Sequence, residues 1–340
     1  MGAVRSALTS TRPRSDDACQ SLQSMMIRTN RVPSVSTSRH RLSADRRLSK
    51  IQRILWIAYN LSNNAFPRSH VDKRIEQRRF SLNEAQVTRL WNHISPSASP
   101  SRRLCDLFWM SGPWHALLRE LGDVHALEIG CGSGVYGRLL ATLLGNSLVR
   151  YTGIDIEPDT HWQEYSTDPR FAFAVERASG VATYLDGSNL VLTQSALEHF
   201  DEDLLYFVRM SEYVRRSEHP VLQIHLVPSA ACITTFPWHG VREYTPRTLS
   251  KITRLFGAET QPYLFELGGS QCNRVHRQFI SWPNLRIGAD MRHSHGAAYQ
   301  SALRTAILND FEGIAMGSPA FYALVLASNF KEKLLAEQLP

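Results

Sequence analysis

From residue 48 onward, the hydrophobic positions of this 340-residue chain follow helical and strand-like patterns in turn. Two stretches with helical spacing, from Leu48 to Leu61 and from Leu82 to Ile94, predict a helical extension at the N-terminal side. A linker rich in Ser and Pro at 95–101 is followed by an aromatic-rich helical stretch that breaks at Gly112-Pro113. Short apolar runs then alternate with helical patterns up to about residue 330. This alternation predicts an α/β domain behind a helical extension.

One apolar run stands out because it carries an acid and breaks into a glycine-rich turn. The run from Ala126 to Ile129 is about as long as a parallel strand needs, and helical spacing follows from Val135 to Leu143. Glu128 lies inside the run, where a buried acid is costly unless a cation or a hydrogen-bond donor answers it. Three alternating glycines permit the positive φ angles of a tight turn: Gly130, Gly132 and Gly134. The pattern predicts a strand, a ligand-binding turn and a helix.

This Glu-x-Gly-x-Gly-x-Gly pattern resembles the first motif of the class I S-adenosylmethionine-dependent methyltransferases. The resemblance implies that the turn backs the amino-acid end of the cofactor and that Glu128 contacts its ammonium group. A competing interpretation exists, because Gly132-x-Gly134-x-x-Gly137 also satisfies the dinucleotide fingerprint of dehydrogenases. In that fingerprint the first glycine follows the strand directly, whereas Gly130-Cys131 intervenes here. The methyltransferase interpretation is therefore favoured over a nicotinamide site.

Residues at the ends of the next two predicted strands extend the candidate cofactor site. Asp155 ends the strand that begins at Leu148, where a carboxylate can accept both hydroxyls of a ribose. The family resemblance places Ile156 or Glu157 beside the adenine. It also places an acid after the third strand, opposite the adenine amino group, and Glu176 is the acid near enough to fill that position.

A second motif follows about forty residues after Asp155, where a buried strand leads into Ser195-Ala196-Leu197-Glu198-His199. It resembles the Ser-x-Leu-Glu-His segment of small-molecule methyltransferases, and we expect Gln194, at the end of the strand, to contact the cofactor. The ubiquinone-type O-methyltransferases have Glu-x-x-Glu-His there and bind a divalent metal. Here Ser195 replaces the first acid, and two adjacent ligands do not close a hard-metal site of about six donors. The sequence therefore predicts no metal.

Methyl transfer from a sulfonium is an in-line displacement, so the protein mainly has to position the acceptor and exclude water. A hydroxyl acceptor also loses a proton, which a neutral histidine can take. Three histidines at or beyond the ends of predicted central strands are candidate bases: His239, His199 and His225. His239 ranks first because it lies among aromatic residues between Phe236 and Pro246, a segment expected to form the acceptor wall.

Together these elements predict an α/β fold with a Rossmann-like sheet of seven mostly parallel strands, the class I methyltransferase fold, behind an N-terminal helical extension. Strands at Tyr263–Leu267 and Ala320–Ala327 are expected to close the sheet as an antiparallel pair around an inserted helix at Ala297–Asn309. The predicted domains are a disordered basic tail at 1–47, a helical extension and linker at 48–101, the methyltransferase domain at 102–330 and a C-terminal tail at 331–340.

The formal net charge of +7 is concentrated near the N-terminus. Residues 1–80 hold sixteen Lys or Arg against five acids, which leaves −4 for the rest and weakens the case for a catalytic domain built around nucleic acid. Five scattered cysteines without a C-x-x-C pair indicate a reduced compartment and no zinc site. No apolar run approaches a membrane span. A cytoplasmic protein is expected, although residues 1–47 also fit an organellar transit peptide.

The expected function is S-adenosylmethionine-dependent O-methylation of a small molecule or a glycan unit. One alternative is an RNA methyltransferase guided by the basic N-terminal segment, with nucleic acid as its partner. Another is a non-catalytic binding scaffold that keeps the fold. An NAD-dependent dehydrogenase is the least favoured of the four. The sequence gives no indication of the oligomeric state.

Overall fold

The structure is a computed structural model that describes residues 34–314 and 317–331 of the chain. Its strands are β1 (Glu76–Arg79), β2 (Val124–Ile129), β3 (Leu148–Asp155), β4 (Phe171–Val175), β5 (Leu190–Gln194), β6 (Val221–Pro228), β7 (Thr260–Leu267) and β8 (Phe321–Ser328). Its α-helices are α1 (Lys50–Asn64), α2 (Glu84–Trp91), α3 (Pro100–Met110), α4 (Trp114–Leu121), α5 (Val135–Leu144), α6 (His161–Tyr165), α7 (Asp203–Arg216), α8 (Pro246–Thr253), α9 (Ser270–His276), α10 (Trp282–Ile287) and α11 (Gly296–Phe311).

All of these strands join one sheet in the order β1-β7-β8-β6-β5-β2-β3-β4. Strand β8 runs antiparallel to both of its neighbours, and every other neighbouring pair is parallel. The predicted α/β, mostly parallel, Rossmann-like sheet is therefore confirmed, and the motif strand β2 lies between β3 and β5. The predicted number of strands is wrong, because the stretch predicted to be a helical extension supplies an eighth strand, β1, which pairs with β7.

The sheet is covered by helices on both faces, which is why its central strands are apolar without alternation. Every residue of β6 and β8 is buried. Side chains of β2 alternate between two hydrophobic clusters, with Ala126 on one face and Leu127 on the other. The first cluster includes residues of α3, α4, α5 and α11, and the second includes residues of α7 and α8. The carboxyl ends of β2, β3, β4 and β5 therefore meet at one edge of a rigid layer.

The first helix, α1, leaves several of its large apolar side chains exposed. Ile51 and Ile54 are 71% and 68% exposed, whereas Trp56 and Asn60 are buried. The Trp56 indole donates a hydrogen bond to the Gly240 carbonyl at 3.1 Å, and the Asn60 amide donates to the Val241 carbonyl at 3.3 Å. These backbone carbonyls need donors, so the face of α1 that carries Trp56 and Asn60 packs inward.

Residues 36–47, here called the N-terminal arm, fall in the stretch predicted to be a disordered tail. The Thr37 amide donates to the buried Asp203 carboxylate at 2.8 Å, and the Ala44 amide donates to the Gly240 carbonyl at 2.8 Å. The structure therefore differs from the prediction for the arm, because specific bonds hold it against the sheet domain. The rest of the predicted tail before residue 34, and the C-terminal tail from 332, lie outside the described residues.

Among the described residues, no helix is both long enough and apolar enough to cross a membrane. The inserted helix predicted at Ala297–Asn309 is observed as α11, one or two residues longer at each end.

Candidate functional site

The glycine turn after β2 forms the floor of the candidate site. Gly130, Gly132 and Gly134 all have positive φ angles, of 74°, 51° and 83°. A Cβ atom on Gly130 would lie 2.4 Å from the Ala196 Cβ, so glycine is needed for the turn to approach the second motif. A Cβ on Gly132 would meet nothing within 4 Å, so that side of the turn is open. The turn is thus a backbone cradle with free space above its middle glycine.

Asp155 at the end of β3 is tied to this turn. Its Oδ2 accepts a hydrogen bond from the Gly132 amide at 2.7 Å, and its Oδ1 accepts one from the Ile156 amide at 2.7 Å. The Ile156 side chain is exposed. Glu176, just after β4, donates its amide to the Asp155 carbonyl at 2.8 Å. The predicted ribose, adenine and adenine-amino residues therefore lie side by side along one edge of the sheet.

A cavity of about 630 Å³ opens over this edge. Four of the predicted cofactor residues line it: Gly130, Asp155, Ile156 and Glu176. Ser195, Ala196 and His199 of the second motif line its other side, and the arm contributes Arg41 and Asp45. The cavity therefore joins the two sequence motifs, and the arm forms part of its wall.

Four predicted cofactor residues are not among the residues that line the cavity: Gly132 and Gly134 of the turn, and Glu128 and Gln194. Glu128 is buried, and it accepts a hydrogen bond from the Tyr151 hydroxyl at 2.5 Å. Burial raises the pKa of the Glu128 carboxyl to about 8, against the opposing effects of Tyr151 and Arg102. The Gln194 Oε1 accepts a hydrogen bond from the Trp109 indole at 3.3 Å. The side chains of Glu128 and Gln194 thus both accept hydrogen bonds from protein donors, and their contacts with the cofactor remain predictions.

Glu198, His199 and His239 converge at the edge of the cavity. One potential ligand atom from each lies within 4.8 Å of the other two. The two imidazole rings pack edge to face with centroids 4.7 Å apart, and the His239 Nε2 is 3.8 Å from the Glu198 Oε1. His239 reaches this position because the Val241 amide donates to the Glu198 carbonyl at 2.8 Å. Gly240, at a φ of 61°, permits that close approach.

The third predicted base, His225, lies elsewhere. It is fully buried in β6, and its Nδ1 is 3.0 Å from the Thr193 hydroxyl. Burial lowers the pKa of His225 to about 3. The side chain packs against Tyr206 and Phe207 and does not line the cavity. The candidacy of His225 as a base is therefore wrong, because position at a central strand says nothing about which face a side chain takes.

Burial and neighbouring charges set the protonation of the cluster. Burial raises the pKa of Glu198 to about 7. Burial and the adjacent His199 lower the pKa of His239. Burial also acts to lower the pKa of His199, but the hydrogen bond to Asp45 and the Glu198 carboxylate outweigh it, so that pKa is raised. The neighbouring Glu243 is buried as well, and burial raises its pKa to about 8.

Sequence reasoning missed two acids of this site, Asp45 and Glu243. Asp45 lies in the arm, and its Oδ2 is 2.8 Å from the His199 Nδ1 while its Oδ1 accepts from the Gly240 amide at 3.3 Å. Burial opposes its ionisation, but the bonds from His199 and other donors lower the pKa of Asp45 to about 2. No local pattern marks Asp45 within its Ser- and Arg-rich stretch. Glu243 could have been found as an acid in the aromatic segment from Phe236 to Pro246.

No family model matches this sequence, and no curated protein matches it. Solved structures resemble it at low sequence identity, and those named here are methyltransferases. A candidate sarcosine dimethylglycine methyltransferase from Galdieria sulphuraria is 12% identical, with a TM-score of 0.43 and coverage of 74% of this chain and 99% of that one. A SAM-dependent methyltransferase from Archaeoglobus fulgidus is 16% identical, with a TM-score of 0.39 and coverage of 72% and 100%.

The plantazolicin methyltransferase BamL, solved in complex with a desmethyl-plantazolicin analogue and SAH, is 12% identical, with a TM-score of 0.43 and coverage of 82% and 99%. At this identity and TM-score the likeness concerns the fold. The fold predicted from the sequence agrees with the observed one in its mostly parallel sheet and in the antiparallel pairing of β7 with β8.

Proposed function

We propose that this protein is an S-adenosylmethionine-dependent methyltransferase that methylates a hydroxyl oxygen of a small molecule or a glycan unit. The observation that carries this proposal is the single cavity of about 630 Å³ that joins Gly130 and Asp155 to the segment from Ser195 to His199. A cofactor held at the first pair of residues would face an acceptor held near the second. A pocket of several hundred Å³ is of the size that small-molecule sites have.

The residues present fit the cofactor. The open face of Gly132 leaves room for a ligand against the turn. Each oxygen of Asp155 accepts one backbone amide and keeps lone-pair capacity for ribose hydroxyls. Ile156 would pack beside the adenine, and the Glu176 carboxylate would accept a hydrogen bond from the amino group of the adenine. When bound, S-adenosylmethionine supplies an electrophilic methyl group on a positively charged sulfur, which an acceptor oxygen displaces in line as the carbon–sulfur bond breaks.

His239 is the residue that we assign to the acceptor proton. Its pKa is lowered by burial and by His199, so the imidazole is neutral at pH 7 and can take a proton from a hydroxyl. About half of the side chain, 47%, remains exposed, so an acceptor can reach it. The Glu198 carboxylate at 3.8 Å would stabilise the imidazolium that forms.

Binding of S-adenosylhomocysteine, measured by calorimetry, tests the cofactor assignment. We expect Asp155→Ala to weaken binding about ten- to 150-fold, which corresponds to the loss of hydrogen bonds to a charged group worth about 1.5–3 kcal/mol. Asp186→Ala is the matched control, because Asp186 is exposed and does not line the cavity. Binding of a nicotinamide dinucleotide instead, or equal loss in both variants, would overturn the assignment.

The acceptor class is tested by transfer of a labelled methyl group into a cell extract split into RNA, protein and small-molecule or glycan fractions. We expect label in the small-molecule or glycan fraction, with His239→Ala lowering the transfer rate and leaving cofactor binding intact. Label in RNA, with transfer that falls steeply as salt rises, would refute the proposed acceptor class and favour guidance by the basic N-terminal segment.

A further inference from the structure

We propose that Glu198, His199 and His239 bind a divalent metal ion of the Zn²⁺ or Fe²⁺ type at the edge of the cavity. The sequence predicts no metal because it shows only two adjacent ligands, Glu198 and His199. The fold supplies the third ligand, His239, from forty residues further along the chain. Ion binding stands on this geometry alone, whereas its consequence for catalysis rests on the proposed function.

The separations of the three groups suit an ion. One potential ligand atom of each residue lies within 4.8 Å of the others, and the Glu198 Oε1 to His239 Nε2 distance is 3.8 Å. Metal bonds of about 2.0–2.2 Å place tetrahedral ligand atoms about 3.4 Å apart, so an ion would draw Glu198 and His239 together by about 0.4 Å and the other pairs by at most about 1.4 Å. The side chains of His199 and His239 are 32% and 47% exposed and can make that adjustment.

The Glu198 carboxylate supplies an independent sign of a missing cation. The residue is fully buried, and neither of its oxygens accepts a hydrogen bond from any described residue. A buried carboxylate without donors is costly, and a coordinated cation would answer it. Glu243 is a second buried acid whose side-chain oxygens likewise lack hydrogen bonds from the described residues. The nearby Arg242 guanidinium is already paired with Asp203 at 3.1 Å.

Asp45 orients one of the proposed ligands. Its Oδ2 lies 2.8 Å from the His199 Nδ1, so a proton on Nδ1 leaves the lone pair of Nε2 for an ion. Metal-bound histidines usually have such a carboxylate or carbonyl partner on the other ring nitrogen, and it fixes the ring and its tautomer. The arm thus contributes a positioning residue to the proposed site.

The donor set indicates the class of ion. Two imidazoles and one carboxylate are the ligands of catalytic zinc sites and of mononuclear iron sites, and both leave coordination positions open. Mg²⁺ and Ca²⁺ prefer oxygen donors and suit this set less well. With the ion bound, His239 would serve as its ligand and not as the base. An open position next to His199, which lines the cavity, would let an acceptor hydroxyl bind the ion, which would lower the pKa of that hydroxyl so that it could lose its proton to solvent.

Co²⁺ is the probe for this site, because its visible absorption reports coordination by histidine. Titrating the full-length, metal-stripped protein with Co²⁺ should show one tightly bound Co²⁺ ion per chain. The visible absorption of the bound ion should disappear in Glu198→Gln and in His239→Asn, and each substitution should reduce the affinity for Co²⁺ by more than about 100-fold. His161→Asn is the matched control, since His161 is an exposed histidine with its Nδ1 2.7 Å from the Asp159 carboxylate. Asp45→Asn should weaken binding about 10- to 100-fold and shift the spectrum while keeping the equivalent.

Circular dichroism of each variant identifies any failure to fold, and His239→Asn, at a half-exposed position, keeps the test decisive if Glu198→Gln unfolds. An unchanged equivalent in a folded His239→Asn protein, or the same loss in His161→Asn, would overturn the proposal. Binding of S-adenosylhomocysteine is measured separately on the same samples. Co²⁺ binding without cofactor binding would refute the proposed function and leave the metal site standing, and the reverse result would refute only the metal site.

Discussion

Replacing Gly130 by alanine is expected to destabilise the fold by about 2–5 kcal/mol, because two separate costs add. The residue has a φ of 74°, and a left-handed conformation costs a residue with a Cβ roughly 1–2 kcal/mol. The new methyl group would also lie 2.4 Å from the Ala196 Cβ, well inside the contact distance of about 3.5–4.0 Å. Overpacking of this kind costs about 1–3 kcal/mol.

Two further variants separate the costs. Gly132→Ala also places a methyl group at positive φ, 51°, but that group would meet nothing within 4 Å, so only the backbone cost of about 1–2 kcal/mol is expected. The double variant Gly130→Ala/Ala196→Gly lacks the Ala196 methyl group that clashes. Its free energy of unfolding should therefore be about 1–3 kcal/mol higher than that of Gly130→Ala. Equilibrium unfolding in urea measures all three variants, with an unchanged m-value as the sign that the unfolding transition is the same.

The same series tests the geometry of the site. Ala196 lies between Ser195, which has a φ of 50°, and the residues that lead to His199. The methyl group of Gly130→Ala should displace Ala196 and therefore weaken S-adenosylhomocysteine binding. The double variant, which lacks the clash, should bind S-adenosylhomocysteine as the unmodified protein does. Equal destabilisation by Gly130→Ala and Gly132→Ala would show that the turn relaxes cheaply, and the argument from close approach would then be refuted.

Two further predictions concern buried charges. His225 has a pKa of about 3 when folded against an ordinary value of 6.5, so the unfolded state binds more protons below pH 6.5 and stability falls as pH falls towards 3. Lowering the pH from 7.5 to 5.5 should therefore reduce the free energy of unfolding by about 1.4 kcal/mol through His225. Urea unfolding of His225→Gln at pH 7.5 and at pH 5.5 should show a decrease that is smaller by this amount. Arg242→Met leaves the buried Asp203 carboxylate without its ion-pair partner and should cost about 3–5 kcal/mol. Arg41→Met breaks a largely exposed pair with Glu202 and should cost less than about 1 kcal/mol, and similar unfolding midpoints for the two variants would contradict the reasoning.

The sequence by itself determined the central layer of this protein. Buried parallel strands need continuous apolar runs, and tight turns at positive φ need glycine, so β2, its turn and α5 are visible in the residues themselves. The same local logic placed Asp155 at the carboxyl end of a strand, whereas Glu176 was expected from the family resemblance. Each of these features depends on neighbours within about ten residues along the chain.

Only the tertiary structure decided which distant groups meet. His239 joins Glu198 and His199 through the bond from the Val241 amide, and Asp45 reaches His199 from the arm. The prediction that His225 is a base was wrong because the side chain is buried against Phe207 of α7. Its place in the sequence does not reveal this contact. Helix α1 leaves large apolar side chains exposed because buried carbonyls elsewhere need the donors on its inward face. Contacts between residues far apart in sequence carry no periodic pattern, so the fold has to be formed before they exist.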